Sequence, residues 1–378
     1  MQFSAEKIAN IRSFHAEINS PHRDGSTPNV PLLMAIETTT RCNFKCIHCS
    51  HTFSDQIPAD LSLELFQEVV PLLQKAHEVY LFGDGEVLLD VPRHLAMIAG
   101  IYQQDPACAL GFSTNGKLLT PEVYELYSTA GIRYIQLSID AATKELYEAM
   151  RRGGSFDGLL ANLEGIAALR RRSKARHPEL HLATVISKQN YRQLPMLAEF
   201  AKAYDFSYWY INAEYAHNPG RDLLRLTSGD KAELERIRAD ILRKYSPYYL
   251  IVFDPSLGLA SDASEKWLEA QSPVYCTVPW QRFELKVNGD AKLCPYYHEP
   301  ICSMNGRSFA EVWNGAEFRR IRKAFTSGTD IPSYCIDCKC GMRRQYLPGY
   351  PGIADGQRTG LLGRMISRVR AVKKAISG

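Results

Sequence analysis

Arg41-Cys42-Asn43-Phe44-Lys45-Cys46-Ile47-His48-Cys49 puts three thiols within eight residues, directly after an apolar stretch, Leu32 to Ile36, that reads as a β-strand. One tight loop can turn all three thiols inward onto a single metal centre. A closed structural zinc site takes four ligands, and an iron–sulfur cluster held by Cys usually takes four as well. A three-thiolate loop therefore points to a [4Fe–4S] cluster with one iron left open for a ligand that is not protein. A zinc loop completed by His48 or His51 is the alternative reading of the same residues.

Downstream of the loop the pattern alternates. Strand-like segments fall at Leu32–Glu37, Glu78–Phe82, Leu110–Thr114, Ile132–Ile139, Leu180–Ile186 and Ser207–Asn212. Helical periodicity lies between them, at about Ser62–Lys75, Pro92–Gln103, Pro121–Ala130, Phe156–Arg172 and Gln193–Tyr204. Six β/α units in a row predict an α/β fold with a parallel sheet and crossover helices. Six units over about 180 residues suggest an open, partial (β/α)6 barrel rather than the closed form of ~250 residues, with active groups at the C-terminal ends of the strands. Those ends are polar: Gly83-Asp84-Gly85-Glu86, Ser113-Thr114-Asn115-Gly116, Leu137-Ser138-Ile139-Asp140 and Asn212-Ala213-Glu214-Tyr215-Ala216-His217. Glycines at 83 and 85 allow close backbone approach. Ser138 and Asp140 share one side of their strand by period two.

The cysteine run, placed after a first strand, resembles the signature of the radical S-adenosylmethionine (SAM) enzymes. The resemblance implies that Cys42, Cys46 and Cys49 hold a [4Fe–4S] cluster whose open iron chelates SAM. It further implies that reduction cleaves SAM to a 5′-deoxyadenosyl radical that abstracts hydrogen. Gly83, Gly85 and Glu86 are similar to the GGEP-type turn that meets the methionine end of SAM, with Asp84 and Val87 as departures. Ser113, Asn115, Ser138 and Asp140 stand where the ribose and carboxylate are met, and Arg151 or Arg152 could pair with the carboxylate. The residue before the third Cys is usually aromatic in that family; here it is His48. Glu214 and His217, at the sixth strand's rim, are candidates for substrate binding or proton transfer.

Past residue 227 the β/α rhythm is expected to stop, with a solvent-facing helix at 228–244 and an irregular connection. Cys276 and Cys294 then flank a hairpin turned by Asn288-Gly289. A helix at about Ser308–Thr326 and Cys335-Ile336-Asp337-Cys338-Lys339-Cys340 follow. Cys276, Cys294, Cys335 and Cys338 make a four-thiolate set that spacing alone assigns to neither zinc nor iron–sulfur. The arrangement looks like the SPASM/twitch extension of radical SAM enzymes, which implies a second, auxiliary [4Fe–4S] cluster. Cys108 reads as core. Cys302 and Cys340 read as bystanders, spare ligands or hydrogen-atom donors.

The divisions expected are an N-terminal helix and loop (1–30), the partial barrel (31–227), a connecting helix and linker (228–275), a small β-hairpin/helix Fe–S domain (276–345) and a basic tail (346–378). The preamble is too short for a peptide-recruiting domain. The tail lacks acids from Gln357 on and forms an amphipathic pattern that could lie on a membrane surface, although packing on the barrel is the plainer reading. A net charge of +4 argues against nucleic acid as a partner. No signal peptide and no span of about 18 apolar residues is evident. Ten cysteines then suggest a reducing cytoplasm. The expected activity is hydrogen abstraction from a small polar substrate, with the auxiliary cluster accepting an electron as an alcohol becomes a ketone, as in twitch-type 2-deoxy-scyllo-inosamine dehydrogenases. Flavodoxin or ferredoxin is the expected electron donor. A peptide-modifying maturase, a radical epimerase and a non-catalytic Fe–S or zinc protein are the alternatives.

Overall fold

The computed structural model describes residues 4–173, 177–213, 224–254, 257, 259, 276–295 and 299–336. Its strands, in chain order, are β1 (Leu33–Glu37), β2 (Lys45–Cys46), β3 (Glu78–Phe82), β4 (Ala109–Thr114), β5 (Tyr134–Ser138) and β6 (Arg151–Arg152). They continue with β7 (Glu179–Ile186), β8 (Tyr208–Ala213), β9 (Leu250–Phe253), β10 (Arg282–Leu285), β11 (Asp290–Lys292) and β12 (Cys302–Ser303). All but β2 and β6 join one sheet in the order β12-β11-β10-β1-β3-β4-β5-β7-β8-β9. From β10 through β9 every neighbour is parallel. The small β2–β6 pair is antiparallel.

Two expectations need correction. The rhythm does not stop at residue 227: the helix Ser228–Tyr245 is followed by β9, which pairs with β8 as a further parallel strand. The cysteine-bearing hairpin is also not a detached unit. Its first strand, β10, lies parallel along β1, with Met34 opposite Phe283 and Ile36 opposite Leu285. Barrel and hairpin therefore share one backbone hydrogen-bond network.

Each strand sorts its side chains by period two. On β3, β5 and β7 alternate positions are fully buried, and the rest only half so. Met34, Ile36, Val79, Leu81, Phe112, Ile135 and Leu182 belong to the buried row, under the crossover helices. The other row faces the lumen and is polar and aromatic. Tyr134 donates to Glu78, Gln136 donates to the Tyr80 hydroxyl at 3.0 Å, and the Tyr134 and His181 rings stack at 4.4 Å.

The N-terminal helix, Ala5–Asn19, starts at Ser4, whose side chain accepts from Lys7 N–H. It is part of the body rather than a preamble set apart. Ile11, Phe14 and Ile18 lie in the core, Lys7 forms a buried ion pair with Asp105, and Asn10 donates to the carbonyls of Val30 and Lys75. The long helix expected at 308–326 is two: Phe309–Trp313, entered through a Ser308/Glu311 capping box, and Ala316–Ser327. They break at Asn314-Gly315, where a Cβ on Gly315 would run into the Glu311 carbonyl.

Arg322, on the second of these helices, is fully buried over the Trp313 ring. Its guanidinium donates to the carbonyls of Pro279 (3.0 Å), Trp313 (2.8 Å) and Gly25 (3.3 Å). Burial pushes its pKa down to about 9, with Glu17 acting to restore it. Replacing Arg322 by Met strands three buried acceptors and should cost roughly 1–3 kcal/mol. The denaturant midpoint of the iron-loaded protein checks this. An unchanged midpoint would mean that the penalty for burying the cation cancels its hydrogen bonds.

Candidate active site

The cysteine loop leaves β1 through Thr38-Thr39-Thr40-Arg41. Cys42 Sγ accepts from Phe44 N–H at 3.4 Å. Cys46 lies in β2 beside Arg151 of β6, and its carbonyl accepts from Cys49 N–H and the Thr52 hydroxyl. The three thiols sit close enough to influence one another's ionisation, and all feel Arg151. Burial pushes each of them up, Cys46 to about 12. Such thiols stay protonated until a metal displaces the proton. Among the described residues no three His, Cys, Asp or Glu side chains come close enough to share one metal ion; a cluster instead offers its ligands separate irons. Three thiols of one loop, all under the influence of a fixed cation, thus suit an anionic thiolate-held cluster.

The Gly83–Glu86 turn packs directly against the entry to this loop. Gly85 N–H donates to Thr39 O at 3.2 Å and Glu86 N–H to Arg41 O at 2.7 Å. A Cβ at Gly83 would collide with the Thr39 carbonyl, and one at Gly85 with that of Arg41. Glycine is therefore required here by the neighbouring backbone.

Glu86 is held by donors from the protein itself. Its carboxylate accepts from the Thr114 hydroxyl (2.7 Å), Asn115 N–H (2.7 Å) and Leu88 N–H (3.0 Å), so both oxygens are engaged inside the protein. Burial raises its pKa despite those donors. It braces β3 to β4. Asn115 in turn donates from its side chain to Asn43 within the cysteine loop, at 2.8 Å. Ser113 bonds Tyr80 in the lumen, and Ser138 occupies the half-buried lumen row.

Asp140 is fully buried and meets Arg151 at 2.7 Å and His48 Nε2 at 3.2 Å. Its other oxygen accepts from Val185 N–H at 2.8 Å. Burial alone would lower the Arg151 pKa, but Asp140 and the thiols outweigh it, so the guanidinium stays charged. Burial depresses the His48 pKa, against the pull of Asp140. Arg151 thus already has a carboxylate partner, whereas Arg152 is exposed.

The auxiliary cysteines Cys276, Cys294 and Cys335 all pack against the common core; Cys338 and Cys340 lie outside the described residues, as do Glu214, His217 and the 346–378 tail. Cys302 sits on β12, two strands out from β10, where Arg307 and Glu317 are its charged neighbours and burial raises its thiol to about 11. That position is on the hairpin and not in the lumen row. Cys108 is buried core, as its sequence context predicts.

Two residues that sequence reading passed over belong to the site. Glu37, the last residue of β1, accepts from Val287 N–H at 3.0 Å and Asp84 N–H at 3.3 Å, and pairs with Lys286. Lys286 also meets Asp84 at 2.8 Å. Burial raises Glu37 to about 7 against the pull of Lys286. An acid closing an otherwise apolar strand was the available signal for Glu37; Lys286 offered none.

Residues 36–201 match the radical SAM superfamily, and residues 276–339 match an iron–sulfur cluster-binding (SPASM) domain. The chain carries a radical SAM domain followed by a C-terminal SPASM domain; the first implies SAM and a [4Fe–4S] cluster as cofactors, the second further Fe–S clusters. Among particular relatives, mycofactocin maturase MftC of Mycobacterium tuberculosis is 29% identical over 177 residues, 47% of this chain and 43% of that protein. AdoMet-dependent heme synthase of Methanosarcina barkeri is 32% identical over 180 residues, 46% of this chain and 48% of that one. These alignments span less than half of either relative. PqqA peptide cyclase of Rhodopseudomonas palustris is 24% identical over 324 residues, 78% of this chain and 77% of the cyclase. In fold, the AdoMet-bound structure of anSMEcpe superposes with a TM-score of 0.59 at 16% identity, covering 91% of this chain and 98% of that one. No described helix is long and apolar enough to cross a membrane.

Asp140 is the counter-charge that keeps Arg151 beside the thiols. Asp140→Asn leaves a buried guanidinium uncompensated and should cost about 3–5 kcal/mol, with less iron retained per chain. Denaturant unfolding and an iron assay measure both. Native values for the two would show that the cysteine loop alone balances Arg151.

Proposed function

We propose that this enzyme is a maturase that modifies a peptide supplied in trans, taking a hydrogen atom from a residue presented at the C-terminal rim of the barrel. The observation that carries this reading is the likeness to PqqA peptide cyclase, which runs through both the barrel and the auxiliary region. The likeness to mycofactocin maturase supports it over 47% of the chain. Oxidation of a small polar alcohol rests on the auxiliary cysteine spacing alone. The heme synthase likeness favours a second reading, in which the substrate is an iron porphyrin.

In this reading Cys42, Cys46 and Cys49 hold the SAM cluster, and Cys276, Cys294, Cys335 and Cys338 an auxiliary one. The bound cofactors supply a 5′-deoxyadenosyl radical and an electron acceptor. The chain's own residues do the positioning. The Gly83–Glu86 backbone, fixed by Glu86 through Thr114 and Asn115, faces the methionine end of SAM. Ser113, Ser138 and the Asp140–Arg151 pair border the same rim. The half-buried row of Tyr80, Gln136 and His181 floors the lumen, so a substrate side chain entering from the rim would cover it and exclude water. Glu214 and His217 are retained as candidates for proton transfer at the rim, and a flavodoxin or ferredoxin as the electron source.

The test begins with anaerobic purification, cluster rebuilding, SAM and a strong reductant. The native chain should form 5′-deoxyadenosine and the Cys42/Cys46/Cys49→Ala variant none. Candidate precursor peptides, iron porphyrins and cyclitols are then compared by product mass. A peptide losing two hydrogens supports crosslinking, and an unchanged mass with inverted stereochemistry supports epimerisation. Turnover of only a porphyrin or only a cyclitol would sink the peptide reading.

A further inference from the structure

Lys286 links two parts of the molecule far apart in sequence. It follows the last residue of β10, on the auxiliary hairpin, yet its ammonium lies between Glu37, at the end of β1, and Asp84, inside the Gly83–Glu86 turn. The same Glu37 carboxylate accepts from the backbone N–H of Val287 on one side and of Asp84 on the other. Lys286 also lies over the Phe82 ring, at 5.2 Å. Its side chain is only 12% exposed, and that of Glu37 is fully buried. Two carboxylates face each other here, and the hairpin supplies the cation that lets them do so.

The mechanical consequence follows from the hydrogen bonds around the turn. Gly85 and Glu86 are tied to Thr39 and Arg41, which lead into Cys42. Asp84 is the turn's side-chain tie to the hairpin. Without Lys286 the buried Glu37 carboxyl, already raised to about 7, would take up a proton, and the turn would lose the cation that ties Asp84 to the hairpin.

We propose that Lys286 is a positioning residue for SAM: it clamps the Gly83–Glu86 turn through Asp84 and Glu37, so that SAM affinity depends on docking of the auxiliary hairpin. The inference rests on the assignment of that turn to SAM. Linkage makes the effect reciprocal, so bound SAM also holds the hairpin down.

The experiment compares anaerobically reconstituted native protein with K286M, K286R and D84N. SAM is titrated while the electron-paramagnetic-resonance spectrum of the reduced SAM cluster is followed, and amide exchange at residues 286–292 is read with and without SAM. K286M should weaken SAM binding on the order of tenfold, with the auxiliary cluster's signal unchanged. K286R should recover most of the loss. D84N should also weaken binding, and adding it to K286M should cost little more, because both break one clamp. SAM should slow exchange in the hairpin of the native protein but not of K286M. Native SAM affinity in a cluster-loaded K286M overturns the proposal. If K286M fails to load its clusters, D84N decides, since it leaves the Glu37–Lys286 pair in place; native affinity in D84N is then the overturning result. If the native protein shows no spectral response to SAM, the assignment of the turn falls first and takes the clamp with it.

Discussion

β1 is hydrogen-bonded on both edges, to β3 of the barrel and to β10 of the auxiliary hairpin, and it leads directly into the cysteine loop. Everything functional in the molecule is measured from that strand. A central parallel strand covered on both faces is ordinarily apolar throughout, and Met34, Ala35 and Ile36 obey this. Glu37 breaks the pattern at the point where the strand ends, and its carboxylate gathers donors from both flanking segments. The register that pairs Ile36 with Leu81 on one side and Leu285 on the other brings those donors into reach. A slip of one residue in either ladder would turn Glu37 into the apolar layer under the helices.

The sheet separates two chemistries by its pleat. Outward residues pack against helices and carry the hydrophobic stability. Inward residues include Tyr80, Tyr134, Gln136, His181, Glu78 and Ser113, which bond or stack with one another. A lumen lined in this way has no folding rationale of its own, because apolar residues would fill it at lower cost. Tyr134 with Glu78 and Gln136 with Tyr80 are satisfied pairwise across strands, as buried polar groups must be. Tyr80, held neutral by burial that lifts it to about 12, accepts from Gln136 and bonds Ser113. Such a floor is fixed in shape before any substrate arrives. It therefore restricts which side chains can enter.

Local patterns made some of this legible and not the rest. Cysteine spacing, glycine turns and period-two strands are properties of neighbours in sequence, and they placed the loop, the strand ends and most of the barrel. Leu250 to Phe253 is only four residues long and sits in a Tyr- and Ser-rich segment, so nothing local separates it from a loop; its partner β8 makes it a strand. The β10–β1 ladder joins residues nearly the whole chain apart, and no window of sequence contains both. Glu86 shows the limit most clearly. The motif locates the residue, but only the fold shows that Thr114 and Asn115 hold its carboxylate and make it a brace between β3 and β4. Arg151 is the parallel case, found from its position but already paired with Asp140.

Asp84 stands where radical SAM turns of this type carry glycine, and the structure shows what the side chain is for. A glycine there would keep the backbone path but leave Lys286 paired with Glu37 alone. Asp84 adds a second acceptor, which converts an ion pair within the sheet into a bridge reaching the turn. Lysine suits that geometry, because its ammonium is a compact point charge on a flexible stem and can divide its donors between two carboxylates that are not coplanar. Two acids share one base here, so the group carries at most one negative charge in excess, less where Glu37, raised to about 7, holds its proton. SAM carries both an ammonium and a sulfonium. A turn that holds excess negative charge at a fixed distance from the thiolate loop favours that cation, provided the hairpin is present to keep the two acids together. In the clamp proposed above, the auxiliary domain acts on the SAM site by electrostatics and position, independently of any electron it accepts.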